Sequence, residues 1–175
     1  MTFLKERLAQ SLVTLFRLSL AAWIGGAALF VITNVAEQTS SSFDSRMRDQ
    51  LATIRFPLYY TFGTASLGIA CLTGCGAVVL SHGCLRKRMF AALIFTVLAT
   101  AGAALDYTLV YRPLQQLIHP PGQARSQQFV VLHERSRHAN EAHLVLALIA
   151  ATCAALPGKA SLRSPCGGSN SCMIP

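Results

Sequence analysis

Four apolar stretches separated by shorter polar ones set the pattern of this chain. They run from about Leu12 to Val35, from Leu58 to Leu80, from Met89 to Val110, and from Leu144 to Leu156 with a polar extension that starts near Ala139. Each of the first three supplies about twenty residues, the length needed to cross about 30 Å of hydrocarbon at 1.5 Å per residue. The fourth is short in its purely apolar part, so Ala139 to His143 must lie in the membrane or at its interface if that segment is to span. The pattern predicts an all-α membrane protein, a four-transmembrane-helix bundle occupying residues 1–157 with spans at about 12–35, 58–80, 89–110 and 139–157. Residues 158–175, rich in Gly, Ser and Pro, read as a disordered tail.

Between the first two spans, Ser40 to Ser42 form a turn and capping cluster, after which Phe43, Met47, Leu51, Ile54 and Leu58 repeat at helical spacing. Asp44, Arg48, Asp49 and Arg55 occupy the other faces. A short amphipathic helix is expected here, lying on the membrane or folded over the bundle and joined to helix two near Pro57. Inside the spans, Trp23 with Gly25 and Gly26 sets bulk beside small residues. Ser66, Ala70 and Gly74, and also Ala99 with Ala103, recur every four residues, a spacing that allows close helix approach. Tyr59, Tyr60, Tyr107 and Tyr111 stand at segment edges, where rings commonly straddle the membrane interface.

The last segment carries the candidate chemistry. Phe129, His133, Ser136 and Asn140 follow one another at steps of four, three and four, which places them on one stripe of a helix. Polar groups beside hydrocarbon need partners, so this stripe should face protein or water. Asp106 and Arg112 of the third segment are the candidate partners. The arrangement suits either interhelical hydrogen bonding or the lining of a path for a small solute, proton or lipid head group.

Composition agrees with the pattern: 53% of residues are hydrophobic and 13% charged, which excludes an ordinary soluble domain. A signal peptide is the competing reading of the first segment. It is disfavoured because Arg17 interrupts the start of the apolar run and no small-x-small cleavage site follows. The net charge of +8 suits membrane flanks and anionic lipid, and no aromatic and basic interleaving points to nucleic acid. Arg86, Lys87 and Arg88, together with Lys5, Arg7, Lys159 and Arg163, gather on one side of an even number of spans. That predicts a multi-pass protein of the cell membrane with both termini cytoplasmic. The opposing loops hold seven arginines of their own, so the asymmetry is partial.

Metal and enzyme signatures are weak. Cys71 and Cys75, one turn apart, read first as small apolar residues and second as a soft-metal pair. Glu134, His138 and Glu141 share a face on which ordinary helix ion pairs compete with metal binding. No CxxC, phosphate-cradling glycine loop, nucleophile elbow or HExxH occurs. Facing axial histidines for haem are missing as well. The expectation is a protein that is not an enzyme and uses no cofactor.

Taken in order, Trp23-Ile-Gly25-Gly26, Phe56-Pro57-Leu58-Tyr59-Tyr60, Arg112-Pro113 and Phe129-x-x-Leu132-His133-x-x-Ser136-x-x-x-Asn140 resemble the transmembrane-protein-205-like family, also called domain of unknown function 4149. The resemblance runs from about Leu12 to Leu156. It departs from the family at residues 112 and 113, where proline would be expected before arginine. It implies a compact four-helix membrane protein, with eukaryotic relatives linked to platinum-drug resistance and vesicle traffic, and it implies no established molecular activity. The reading that follows is a non-enzymatic membrane scaffold or partner subunit, with the lipid bilayer and a second copy or another membrane protein as partners. The alternative is a protein of small-solute or soft-metal transport or tolerance.

Overall fold

The computed structural model describes residues 2–156 and is helical almost throughout. Its elements are α1 (Thr2–Thr39), α2 (Ser45–Leu80), α3 (Gly83–Asp106), a π-helical turn (Tyr107–Tyr111), α4 (Arg112–Gln116) and α5 (Gln127–Ala155). The tail expected at 158–175, with Lys159 and Arg163, lies outside the described residues.

Three rods are long and apolar enough to cross a membrane: Phe3–Thr39, Ser45–Leu80 and Gly83–Gln116. The last runs unbroken through α3, the π turn and α4. The turn is wide because the Arg112 N–H bonds back five residues to the Tyr107 carbonyl. That widening accommodates Pro113, whose ring would press on a carbonyl four residues back in a regular α-helix. The fourth long helix, α5, is a weaker span than expected. It starts at Gln127, and its first half carries Glu134, Arg135, Arg137, His138 and Glu141. Its charge-free stretch, Ala142 to Leu156, covers only about 20 Å.

The separate amphipathic helix does not form. Its residues are the first turns of α2, which continues through Pro57 without a break. Proline removes one rung of the ladder, but the helix is pinned on both sides of that gap. Before it, Arg55 binds Glu37 and Thr33 of α1; after it, Tyr59 and Tyr60 reach α5 and α3. The N-cap is Asp44, which accepts from the Met47 N–H at 2.7 Å, and not the Ser40 to Ser42 cluster.

The long helices pack side by side as an antiparallel bundle, with α1 against α2, α2 against α3, α3 against α5 and α5 closing on α1. Phe16, Leu20, Trp23, Leu67 and Met89 fill its core, and Ala70, Ala92, Ala99, Ala147, Ala150 and Ala154 let the backbones approach. Trp23 does not use Gly25 or Gly26. Its indole lies on Gly63 of α2, where an added Cβ would come within 2.5 Å of the ring, while Gly25 faces open space and Gly26 meets Phe62.

At one end of the bundle, Arg17 of α1 bonds the Ala154 carbonyl, and Arg88 of α3 bonds the carbonyls of Cys153 and Ala154. Two guanidiniums thus cover the negative end of the α5 dipole. At the other end, buried Asp49 of α2 takes the Gly122 N–H at 2.8 Å and pairs with Arg125. This contact ties the loop before α5 to α2. Gly122 sits at φ +91°, a backbone that glycine adopts without a Cβ clash.

Candidate functional site

Asp106, the last residue of α3, is 2% exposed and collects polar groups from two other helices. The Tyr60 hydroxyl donates to its Oδ2 at 2.5 Å. Ser136 Oγ and Asn140 Nδ2 approach the same oxygen at 3.4 Å. Asn140 Nδ2 also donates to the Ser136 carbonyl at 2.8 Å, and its Oδ1 accepts from the Tyr59 hydroxyl at 2.9 Å. The other oxygen of Asp106 has no partner, and no lysine, arginine or histidine pairs with the carboxylate among the described residues. Among the described residues, hydroxyls and an amide are the groups that meet this buried acid.

Tyrosine rings surround the knot. Tyr59, Tyr60 and Tyr111 are 9%, 7% and 5% exposed, so they form an interior layer and not the interfacial belt expected from the sequence; only Tyr107, at 38%, meets the surface. Ring contacts run across all four long rods. Phe30 of α1 stacks on Tyr59 at 4.3 Å, Tyr60 meets Tyr111 at 4.5 Å, and Trp23 lies 5.2 Å from Tyr59 and 5.9 Å from His143 of α5. Burying aromatic rings against one another offers more area and better geometry than leaving them at the lipid edge.

Of the stripe, Ser136 and Asn140 join Asp106, and Phe129 and His133 do not. The His133 ring stacks on Phe129 at 5.8 Å, and Phe129 in turn lies under the Arg125 guanidinium at 4.3 Å. Partial burial holds the His133 imidazole below the usual histidine range; Glu134 opposes this, and Arg137 and Arg125 add to it. Its contact with Phe129 is ring on ring. Arg112 also stands apart from the stripe, 5.9 Å over the Tyr107 ring.

His143, which the sequence sets close to the Glu134, His138 and Glu141 face, continues the stripe by a step of three. It is 2% exposed, and neither ring nitrogen has a partner. The Trp23 indole N–H beside it is also unpartnered. Both residues line a cavity of about 300 Å³ at the seam of α2 and α3, together with Tyr59, Tyr60 and Tyr107 and the small residues Gly63, Ala103 and Ala104. A second hollow, along Arg7, Gln10, Ser11 and Thr14, is lined among the described residues by one exposed face of α1.

The metal candidates divide. His138 is held between Glu134 and Glu141, 3.3 Å from each, on an exposed face where Arg137 also takes Glu134. These contacts are surface ion pairs one turn apart. Cys71 lies 3.5 Å from the Thr100 hydroxyl, while Cys75 is exposed. Among the described residues, no three His, Cys, Asp or Glu side chains converge as a metal site. Compared with family models, characterised proteins and solved structures, the chain matches none.

Proposed function

We propose that this chain is a non-enzymatic, four-span membrane protein acting as a scaffold or partner subunit, with α5 as its fourth span. The observation that carries the reading is the use of the stripe's polar groups inside the bundle: Ser136 and Asn140 face Asp106, and Asn140 also meets Tyr59. Side chains that bond one another across α2, α3 and α5 hold a shape, and they leave little free for a reaction. Ser136 and His133, the one nucleophile and base pair that the stripe offers, make no hydrogen bond to each other. The motif resemblance to the transmembrane-protein-205-like family supports the same assignment.

The orientation proposed is basic end inward. Lys5, Arg7, Arg17, Arg86, Lys87 and Arg88 lie at the end where α5 finishes, with Glu6 as the one acid of the described residues there. At the other end, seven arginines are spread over the two opposing loops and their flanks, whereas Arg86, Lys87 and Arg88 stand together in one short loop. Cytoplasmic retention of the denser basic end follows the positive-inside rule.

Replacing Asn140 by leucine tests the carrying observation. The change strands Tyr59 and weakens the hold on Asp106, so stability in detergent should fall by about 1–2 kcal/mol with the helical content unchanged. Vesicles reconstituted with the parent protein should pass protons and small ions no faster than empty vesicles. Flux that Asn140→Leu abolishes at unchanged stability would overturn the scaffold reading in favour of a path.

A further inference from the structure

The cavity at the α2 and α3 seam has chemistry that bundle packing does not require. Its walls include the rings of Trp23, Tyr59, Tyr60 and Tyr107, whose faces carry negative quadrupole charge. Two of its three threonine hydroxyls are already committed as donors: Thr100 bonds the Thr96 carbonyl at 2.8 Å and Thr108 bonds the Ala104 carbonyl at 2.9 Å. Tyr59 and Tyr60 also donate away from the cavity, to Asn140 and Asp106. These four hydroxyl oxygens have given up their protons and keep lone pairs, while the Trp23 indole N–H and the His143 ring stand unpartnered on the same walls.

At the hydroxyl of Tyr60, outside the cavity lining, lies Asp106, a buried acid with an unpartnered oxygen and no basic partner among the described residues. A phenol that donates to a carboxylate becomes richer in electron density, which strengthens the attraction of its ring for a cation. One cation already uses this rim, since Arg112 stands over Tyr107 at 5.9 Å.

We propose that the cavity binds a small organic cation, an alkyl- or arylammonium that fits about 300 Å³, with its charge against the Tyr60, Tyr107 and Trp23 rings and Asp106 as the counter-charge. The apolar part of the ligand lies along Gly63, Ala103 and Ala104, whose small side chains leave the room. Metal ions are a poor match to this site, because the nearest oxygens are few and ring faces dominate. Ammonium recognition by aromatic walls needs no inner-sphere ligands. The site does not depend on the scaffold reading, because a subunit can hold a ligand and still leave the stripe bonded.

Trp23 is the chain's one tryptophan and lines the cavity, so it reports occupancy directly. The full chain in lipid nanodiscs is titrated with benzyltrimethylammonium and with neopentylbenzene, its neutral isostere. The expected result is a saturable change in Trp23 fluorescence with the cation and at least about tenfold weaker binding of the neutral compound. Asp106→Asn should weaken the cation by about tenfold and leave the isostere unchanged. Ala104→Phe, which sets a ring into the cavity lining from α3, should abolish the saturable signal for both. Equal affinity for the two compounds, or a cation response that survives Ala104→Phe, overturns the proposal. If Asp106→Asn fails to fold, Tyr60→Phe takes its place, since it keeps the ring and removes the link to the acid; unchanged cation affinity in that variant also overturns it.

Discussion

Two polar knots grip α5, one at its C-terminal end and one where its buried face begins, and they are opposite in charge. At the C-terminal end the charges are cationic: Arg17 and Arg88 sit on the carbonyls of Cys153 and Ala154. At the other knot the charge-bearing group is an acid, Asp106, and the groups around it are two hydroxyls and an amide. Neither knot contains an ion pair. In each, a side chain that would be costly to leave alone near hydrocarbon is met by dipoles, the helix terminus in one case and hydroxyl or amide groups in the other. The difference lies in access to water. Arg17 is exposed and keeps part of its hydration, whereas Asp106 is enclosed and depends on its three donors.

The comparison predicts unequal costs. The largest should come from Asp106→Leu, which leaves the Tyr60 and Ser136 hydroxyls without that acceptor in the interior and Asn140 with only its bond to the Ser136 carbonyl. A loss of about 3 kcal/mol is expected in denaturation of the detergent-solubilised protein, against about 1 kcal/mol for Asp106→Asn, which keeps an acceptor. A loss for leucine no larger than for asparagine would mean that the knot is not satisfying buried groups.

The arginine cap should cost less. Arg17→Met and Arg88→Met are each expected to lose about 0.5–1 kcal/mol, because the remaining guanidinium still covers Ala154. The double variant should lose more than the sum, since only then is that carbonyl left bare. A double-mutant cycle reads the coupling, and simple additivity would show that the two arginines act independently. The smallest effect belongs to the exposed cluster on the outer face of α5. Glu134→Gln removes partners of Arg137 and His138, yet it should shift stability by less than about 0.5 kcal/mol, and by less still at high salt.

Much of the site was readable from spacing alone. Helical steps placed Ser136 and Asn140 on one line, and Asp106 stood out as an acid at the end of an apolar run. The line also runs further than the four residues that first drew attention. His143, Ala147, Ala150 and Ala154 continue it at steps of three and four, and with Ser136 they make up the buried face of α5. His143 could have been found from that periodicity. Its neighbour Trp23 could not, because the contact joins residues far apart in sequence.

What the sequence determined by itself follows from local rules: helix after helix, three of them apolar over a membrane's width, with charges gathered at the ends. Helical periodicity and hydrophobic length act within a few turns of chain, so no neighbour is needed to read them. Tertiary structure decided the rest. It turned three tyrosines from an expected interface belt into an interior layer, carried α2 straight through Pro57, and set Trp23 against Gly63 in place of its adjacent glycines. Each of these outcomes depends on which helix faces which and at what height. Packing and the matching of buried polar groups settle that across the whole bundle, and no stretch of sequence carries it alone.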